Sequence, residues 1–98
     1  MSKMKFFYGA KIDKQGRICL GEYCKSNVEV AIFITEDRTD IAHIEIIDGI
    51  TTYPESAIRR VDEKKRVFLP KWVRRNATHV LIGWDNDGET IVVKLITD

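Results

Sequence analysis

The sequence has little of what usually staples or anchors a small protein. Its 98 residues include only two cysteines, Cys19 and Cys24, too few for the disulfide framework of many small secreted domains. No apolar run is long enough to span a bilayer, and the first residues do not follow a signal-peptide pattern. We therefore expect a cytoplasmic protein with reduced thiols and no membrane partner.

Groups that carry catalysis or bind metals are also scarce. Cys19 and Cys24 have no second cysteine pair, so a metal site would need His43 or His79 brought in by folding. Buried thiols and ordinary histidines are the better interpretation. The acidic segment 85–89 resembles the start of a calcium loop, but the position where such a loop ends in a glutamate is not a glutamate here. Without a nucleophile–base pair or a glycine-rich phosphate loop, neither an enzyme nor a cofactor is expected.

Size sets the next limit. With 98 residues, 44% of them hydrophobic, the chain is long enough for one packed domain. Either half alone would bury too little surface to be more than marginally stable. If the halves are related, they are therefore expected to share one core.

Basic residues are concentrated in the second half. Residues 1–49 carry seven Lys and Arg against eight Asp and Glu, and residues 50–98 carry nine against seven. From Arg59 to Arg75, eight basic residues accompany two acidic ones, a local charge of +6 within a chain of net charge +1. A charge cluster can be a merely solvated face. Its spread over a predicted strand, turn and helix start favours a site for a polyanion.

The two halves resemble each other when aligned 49 residues apart without a gap. Five identities are close to chance, but many other positions keep apolar residues apolar and basic residues basic. We infer a tandem repeat, which decides the fold wherever one is present. The identical pairs are Asp13/Asp62, Arg17/Arg66, Leu20/Leu69, Asn27/Asn76 and Ile47/Ile96, and the conservative pairs include Ile18/Val67, Tyr23/Trp72, Lys25/Arg74 and Ile32/Leu81.

Each copy predicts the same order of elements: a strand, a polar turn, a strand, a short helix and a final hairpin. Gly16 suits a positive φ in the first turn, whereas Lys65 adopts one less freely in the second. Pro70 suits a helix start and Asn76 a helix end, while Gly21 replaces the proline in the first copy. The predicted ranges are strands 6–12, 17–20, 29–35 and 41–47 with helix 22–27, linker 48–54, and strands 56–61, 66–69, 80–84 and 90–96 with helix 71–76.

Three further expectations concern packing and turns. Tyr23 and Trp72 are expected to pack the two helices onto the rest of the protein. Residues 91–93 are apolar in succession, which is typical of a strand covered on both faces. The segment 85–89 is expected to form a hairpin turn, with Gly88 at positive φ.

The second copy carries the string R-R-V-D-x-x-x-R-V-x-L-P-x-x-V-R-R between Arg59 and Arg75. This string resembles the AbrB/SpoVT family of DNA-binding transition-state regulators. The first copy matches more loosely between Lys11 and Gly21, and two such units in one chain is the organisation of the MraZ group. The resemblance implies a mostly β fold with two short helices, in which two β-β-α-β-β units (residues 5–47 and 55–97) interleave into one pseudo-twofold swapped-hairpin barrel.

The resemblance also implies which residues face DNA. Carried over by position, they are Arg59, Arg66, Arg74 and Arg75, with Arg60 and Lys64 as neighbours and Arg17 and Lys25 as counterparts in the first copy. Guanidinium groups bind phosphate in pairs of hydrogen bonds and also recognise guanine edges, and free N–H groups at a helix start suit phosphate. Two alternatives stay open: Arg66 and Arg17 pair with the aspartate of their own turn, and Arg74 and Arg75 are only a solvated helix face.

The expected function is a DNA-binding transcriptional regulator that contacts phosphates and base edges of double-stranded DNA. Its affinity should fall with salt as expected for about four to six neutralised phosphates. Because the second copy holds most of the arginines, one chain should grip one half-site, and a symmetric site would require two chains to pair. The alternative is a protein-interaction module, antitoxin-like or an assembly factor, that uses the same barrel without DNA. Antitoxins of this superfamily carry a toxin-binding tail, and only two residues follow the last predicted strand, which favours the regulator.

Overall fold

The backbone is mostly β-strand. A computed structural model describes residues 4–49, 52–85 and 90–97. In these ranges it has eight strands, one four-residue α-helix, and short 3₁₀ turns at Gly21–Tyr23 and Glu55–Ala57. The elements are β1 (Lys5–Lys11), β2 (Arg17–Cys19), β3 (Glu29–Ile34), β4 (Ile41–Ile46), β5 (Ile58–Arg60), β6 (Arg66–Phe68), α1 (Lys71–Arg74), β7 (His79–Trp84) and β8 (Ile91–Ile96).

Six strands form one antiparallel sheet in the order β1-β7-β8-β4-β3-β5, and β2 pairs with β6 in a separate two-stranded ribbon. The sheet has an internal symmetry: exchanging each of β1–β4 with its counterpart in β5–β8 gives the same strand order read from the opposite edge. The first strand of each half therefore pairs with the hairpin of the other half: β1 with β7, and β5 with β3. The sheet is open, with β1 and β5 at its edges. The predicted barrel is therefore not confirmed.

Both halves contribute to one hydrophobic core. Side chains from the long sheet, such as Ile32 and Ile82, cluster with side chains from the ribbon and its continuations, such as Ile18, Val67 and Leu69. All five are at most 1% exposed. Burying a side chain of this size contributes about 1.5–3 kcal/mol, and neither half has the full set. The expectation of a shared core is confirmed.

The helices are shorter than predicted. Where helix 22–27 was expected, the chain makes only the 3₁₀ turn Gly21–Tyr23, because the backbone becomes extended at Cys24, with φ −147° and ψ 151°. The helix predicted over 71–76 is the single turn α1, in which Val73 and Arg74 both donate to the Pro70 carbonyl. Arg75, with a φ of 43°, ends it instead of Asn76.

The gap-free alignment of the halves is wrong at one strand. In β1 and β5, Ala10 and Arg59 are 49 residues apart, but their strand partners Val30 and Val80 are 50 apart. The second half thus has one extra residue between α1 and β7. As a result, the fully buried Ile32 corresponds to Ile82, and not to Leu81 as the alignment predicted.

The remaining expectations on packing have mixed outcomes. Residues 91–93 are all buried, as expected of a strand covered on both faces. Tyr23 is buried beside Tyr8 and Trp84, but Trp72 is 47% exposed, so the packing role predicted for it is wrong. The predicted turn with Gly88 and the middle of the predicted linker lie outside the described residues. Within the described residues, no helix is long and apolar enough to cross a membrane.

Candidate nucleic-acid interface

The ribbon formed by β2 and β6 has one buried face and one face toward solvent. Ile18 and Val67 are 1% and 0% exposed and point into the core. Since side chains alternate along a strand, their neighbours point outward. This outer surface, the ribbon face, consists of Arg17 opposite Phe68 and Cys19 opposite Arg66.

The turn before β6 is closed by Asp62. Its Oδ1 accepts backbone N–H groups of Lys64 and Arg66 at 2.9 and 2.8 Å, and its Oδ2 accepts the Arg66 Nε at 2.9 Å. These hydrogen bonds, first that from the Arg66 backbone, hold the pKa of the Asp62 carboxyl below its usual value. Lys65 completes the turn at a φ of 62°, so it takes the left-handed conformation despite its side chain.

The turn before β2 repeats this arrangement. Asp13 Oδ1 accepts the backbone N–H groups of Gln15 and Arg17 at 2.9 and 2.8 Å, and Oδ2 accepts the Arg17 Nε at 3.0 Å. The backbone hydrogen bond from Arg17 is again the main cause of a lowered Asp13 pKa. Of the two interpretations left open by the sequence, pairing of Arg17 and Arg66 with their own turns is confirmed.

Arg59 and Arg74 lie on either side of the turn before β6 in the sequence, and their side chains meet at Phe68. Their guanidinium carbons are 5.9 and 5.7 Å from the centre of the Phe68 ring, within the range of a cation–π contact. Arg59 Nη1 donates to the carbonyls of Ser56 and Ile58 at 3.0 and 2.8 Å. Arg74 Nε donates to the Leu69 carbonyl at 3.1 Å. We call Arg59, Phe68 and Arg74 the arginine–phenylalanine cluster.

The alternation of side chains along β5 explains why Arg59 reaches the ribbon. Arg59 shares a face of the strand with Val61, which is 0% exposed in the core. The ribbon covers that same core, so the Arg59 side chain emerges beside it. Arg60, one residue on, belongs to the opposite face of β5 and is exposed there, and so it does not join the cluster.

Arg74 rests on the turn contributed by the other half of the chain. Gly16 has a φ of 84°, and a Cβ added to it would lie 2.6 Å from Arg74 Nε and 2.9 Å from Cζ. The glycine therefore suits this position for two reasons: it adopts the positive φ freely, and it leaves the space that the Arg74 side chain occupies. The same turn is tied to the second half by a backbone hydrogen bond from Leu69 to the Gly16 carbonyl at 2.9 Å.

The other predicted interface residues are more scattered. Lys64 is exposed in the turn before β6, and Lys25 is exposed after the first 3₁₀ turn. Arg75 is exposed but donates to the Thr39 carbonyl in the β3–β4 loop, a different contact from that of its neighbour Arg74. The single turn of α1 is also too short for a substantial helix dipole, so the predicted phosphate site at the helix start has little support.

Two members of the site were missed by sequence reasoning. Phe68 was left unassigned and Gly16 was assigned only to its turn. The signal for Phe68 was present: it lies two residues after Arg66 in a strand whose middle residue, Val67, is apolar, so it must share the outward face of Arg66. Nothing in the local sequence relates Gly16 to Arg74, because that contact depends on how the two halves pair.

The ribbon face is asymmetric. At the positions 49 residues earlier, Ala10, Cys19 and Lys25 stand in place of Arg59, Phe68 and Arg74. Cys19 is partly exposed, and its Sγ donates to the Lys64 carbonyl at 3.7 Å. The cluster thus occurs once per chain among the described residues, on the side contributed by the second half.

Compared with family models, curated proteins and solved structures, the chain matches none of them.

Proposed function

We propose that this protein is a DNA-binding transcriptional regulator of the AbrB type, and that the ribbon face contacts the phosphates and base edges of double-stranded DNA. The observation that carries the proposal is the arginine–phenylalanine cluster. Two guanidinium groups converge there on an exposed surface that also carries Arg17 and Arg66.

The four arginines differ in whether a nearby carboxylate offsets their charge. Arg17 and Arg66 form ion pairs with Asp13 and Asp62, which offset their charge locally. Among the described residues, neither Arg59 nor Arg74 forms an ion pair, and both are held by uncharged carbonyl oxygens. Such positioned and uncompensated guanidinium groups suit phosphate, which accepts paired hydrogen bonds from them.

The strand pairing supports the fold that the AbrB resemblance implies. Because β1 pairs with β7 and β5 with β3, each half places its hairpin between strands of the other half. We take this as an interleaved, swapped-hairpin arrangement of two AbrB-like units in one polypeptide. The ribbon then lies on the pseudo-twofold axis, since Ile18 and Val67, 49 residues apart, are direct partners.

Binding through this face should depend strongly on salt. Each phosphate neutralised lowers the slope of log K against log salt by about 0.9, so about four contacts give a slope near −3.6. Removing Arg59 and Arg74 together should reduce the magnitude of the slope by about 2 and weaken binding to every duplex.

The test is a salt titration of duplex binding followed by fluorescence anisotropy. The Arg59→Ala/Arg74→Ala variant is compared with Lys5→Ala/Lys94→Ala, which removes the same charge from strands β1 and β8. We expect the first variant to lose affinity and slope while the second keeps the wild-type slope. Equal effects of the two variants would show that only net charge matters. A wild type that does not bind duplex at low salt would favour a protein-interaction module.

A further inference from the structure

Phe68 is one of the large hydrophobic residues that the structure leaves exposed, and two arginines flank its ring. Its side chain is 39% exposed while its neighbour Val67 is fully buried, so the ring is not part of the core. The groups around it are fixed: Arg59 is held by two backbone carbonyls and Arg74 by a third. A partly exposed apolar ring thus lies between two guanidinium groups that hydrogen-bond to the backbone.

The ring is not needed to hold the arginines. Both already have backbone hydrogen bonds, and a cation–π contact at an exposed site contributes only about 0.5–1 kcal/mol. Its burial is incomplete, since 39% of the residue remains exposed. What distinguishes the ring is its setting: an aromatic side chain between two positioned guanidinium groups on a basic face is typical of surfaces that contact bases and phosphates together.

We propose that Phe68 is a wedge that inserts partway between two base pairs of duplex DNA from the minor groove, while Arg59 and Arg74 contact the backbone on either side of the opened step. The inference rests on the proposed function, because it names how the same face engages DNA. Apolar side chains that enter a base step unstack it, at a cost of about a few kcal/mol per step, and bend the duplex so that it contacts more protein surface.

The wedge implies a preference for particular DNA sequences. Pyrimidine–purine steps such as TA unstack most easily, whereas A-tracts are stiff. A duplex with a central TA step should therefore bind more tightly than an A-tract duplex of equal length, with no hydrogen bond to a base required. Since Cys19 occupies the position corresponding to Phe68, one chain should open one step, displaced from the axis of the ribbon.

The experiment uses duplexes in which 2-aminopurine replaces the adenine of a central TA step, because its fluorescence rises when it unstacks. We compare the wild type with Phe68→Thr, which removes the ring but suits a strand, and with Phe68→Leu, which keeps an apolar wedge. Phe7→Ala is the matched control, since Phe7 is 64% exposed on the edge strand β1. Circular dichroism checks that each variant is folded.

The wild type and Phe7→Ala should both raise the fluorescence on binding. Phe68→Thr should abolish the rise and weaken binding about 5- to 160-fold, the range for loss of one base–aromatic contact, with an unchanged salt slope. Phe68→Leu should retain part of the rise. A wild type that binds with the expected slope but leaves 2-aminopurine stacked would overturn the wedge and leave DNA binding intact.

Two further outcomes also decide the matter. Tighter, Phe68-dependent binding to single-stranded DNA than to the duplex would mean that the ring stacks on an unpaired base, which overturns the wedge. Absence of salt-dependent binding to any duplex would overturn the proposed function itself, together with the inference that rests on it.

Discussion

If the ribbon face binds DNA as proposed, replacing Gly16 with alanine should weaken that binding, although the change alters no charge and lies in the half of the chain that lacks the cluster. The added Cβ would lie 2.6 Å from Arg74 Nε, closer than real Cβ atoms approach. The flexible Arg74 side chain would move, which breaks its hydrogen bond to the Leu69 carbonyl and withdraws it from Phe68.

The cost in stability has two parts. The left-handed backbone at a φ of 84° costs an alanine about 1–2 kcal/mol, and the lost hydrogen bond adds about 0.5–1.5 kcal/mol. Gly21→Ala is the matched control: its φ is 56°, but nothing lies within 4 Å of the added Cβ, so only the first part applies. Urea unfolding should therefore show Gly16→Ala to be the more destabilised by about 1 kcal/mol.

DNA binding separates the variants more sharply. Gly16→Ala should reduce the magnitude of the slope of log K against log salt by about 1, the share of one phosphate contact. Gly21→Ala should leave that slope unchanged. In a double-mutant cycle, Gly16→Ala should have little further effect on binding once Arg74 is alanine, because both changes remove the same contact. Additive losses in that cycle, or equal slopes for the two glycine variants, would refute the idea that this turn positions Arg74.

Three other predictions concern stability. Leu69→Ala, at a fully buried position, should cost about 2–5 kcal/mol, while the exposed Trp72 should tolerate alanine within about 0.5 kcal/mol; chemical denaturation measures both. The pKa values of Asp13 and Asp62 lie below the usual 3.8, so their contribution is complete above the unfolded-state value and is lost as the pH falls through the lower folded-state value. The double Asn variant should thus lose less stability than the wild type on acidification, and parallel pH profiles would contradict this. Gly83→Ala would put a Cβ 1.7 Å from a backbone oxygen of β1, so hydrogen exchange should show β1 detached from the sheet; continued protection there would refute the need for glycine.

Hydropathy and turn residues predicted the strands well, because the signals are local: alternation in some strands, and a continuous apolar run at residues 91–93. Ile18 and Val67 are the clearest cases: both were predicted in short strands, and both are buried in the ribbon. The helices were overestimated because one proline and a few apolar residues do not reveal how soon a helix ends. In the structure, Arg75 adopts a positive φ, a conformation that its residue type does not indicate.

The failures at the site came from contacts between halves. Trp72 was expected to pack like Tyr23, but Tyr23 has Tyr8 and Trp84 to pack against. At the positions corresponding to those two rings, the other half offers only Ala57 and Ile34. Such differences depend on residues far apart in the sequence, so a pattern read along one segment does not contain them.

The exchange of hairpins between the halves has a consequence for how the protein holds together. If the chain were cut in the segment 48–54, each fragment would keep a hairpin but lose the edge strand that pairs with it, and the fragments would associate as two subunits whose stability depends on concentration. The intact segment replaces that dependence with a fixed effective concentration. It also joins one half with the arginine–phenylalanine cluster to one half without it in every molecule. The two halves can therefore differ in sequence without forming mismatched pairs.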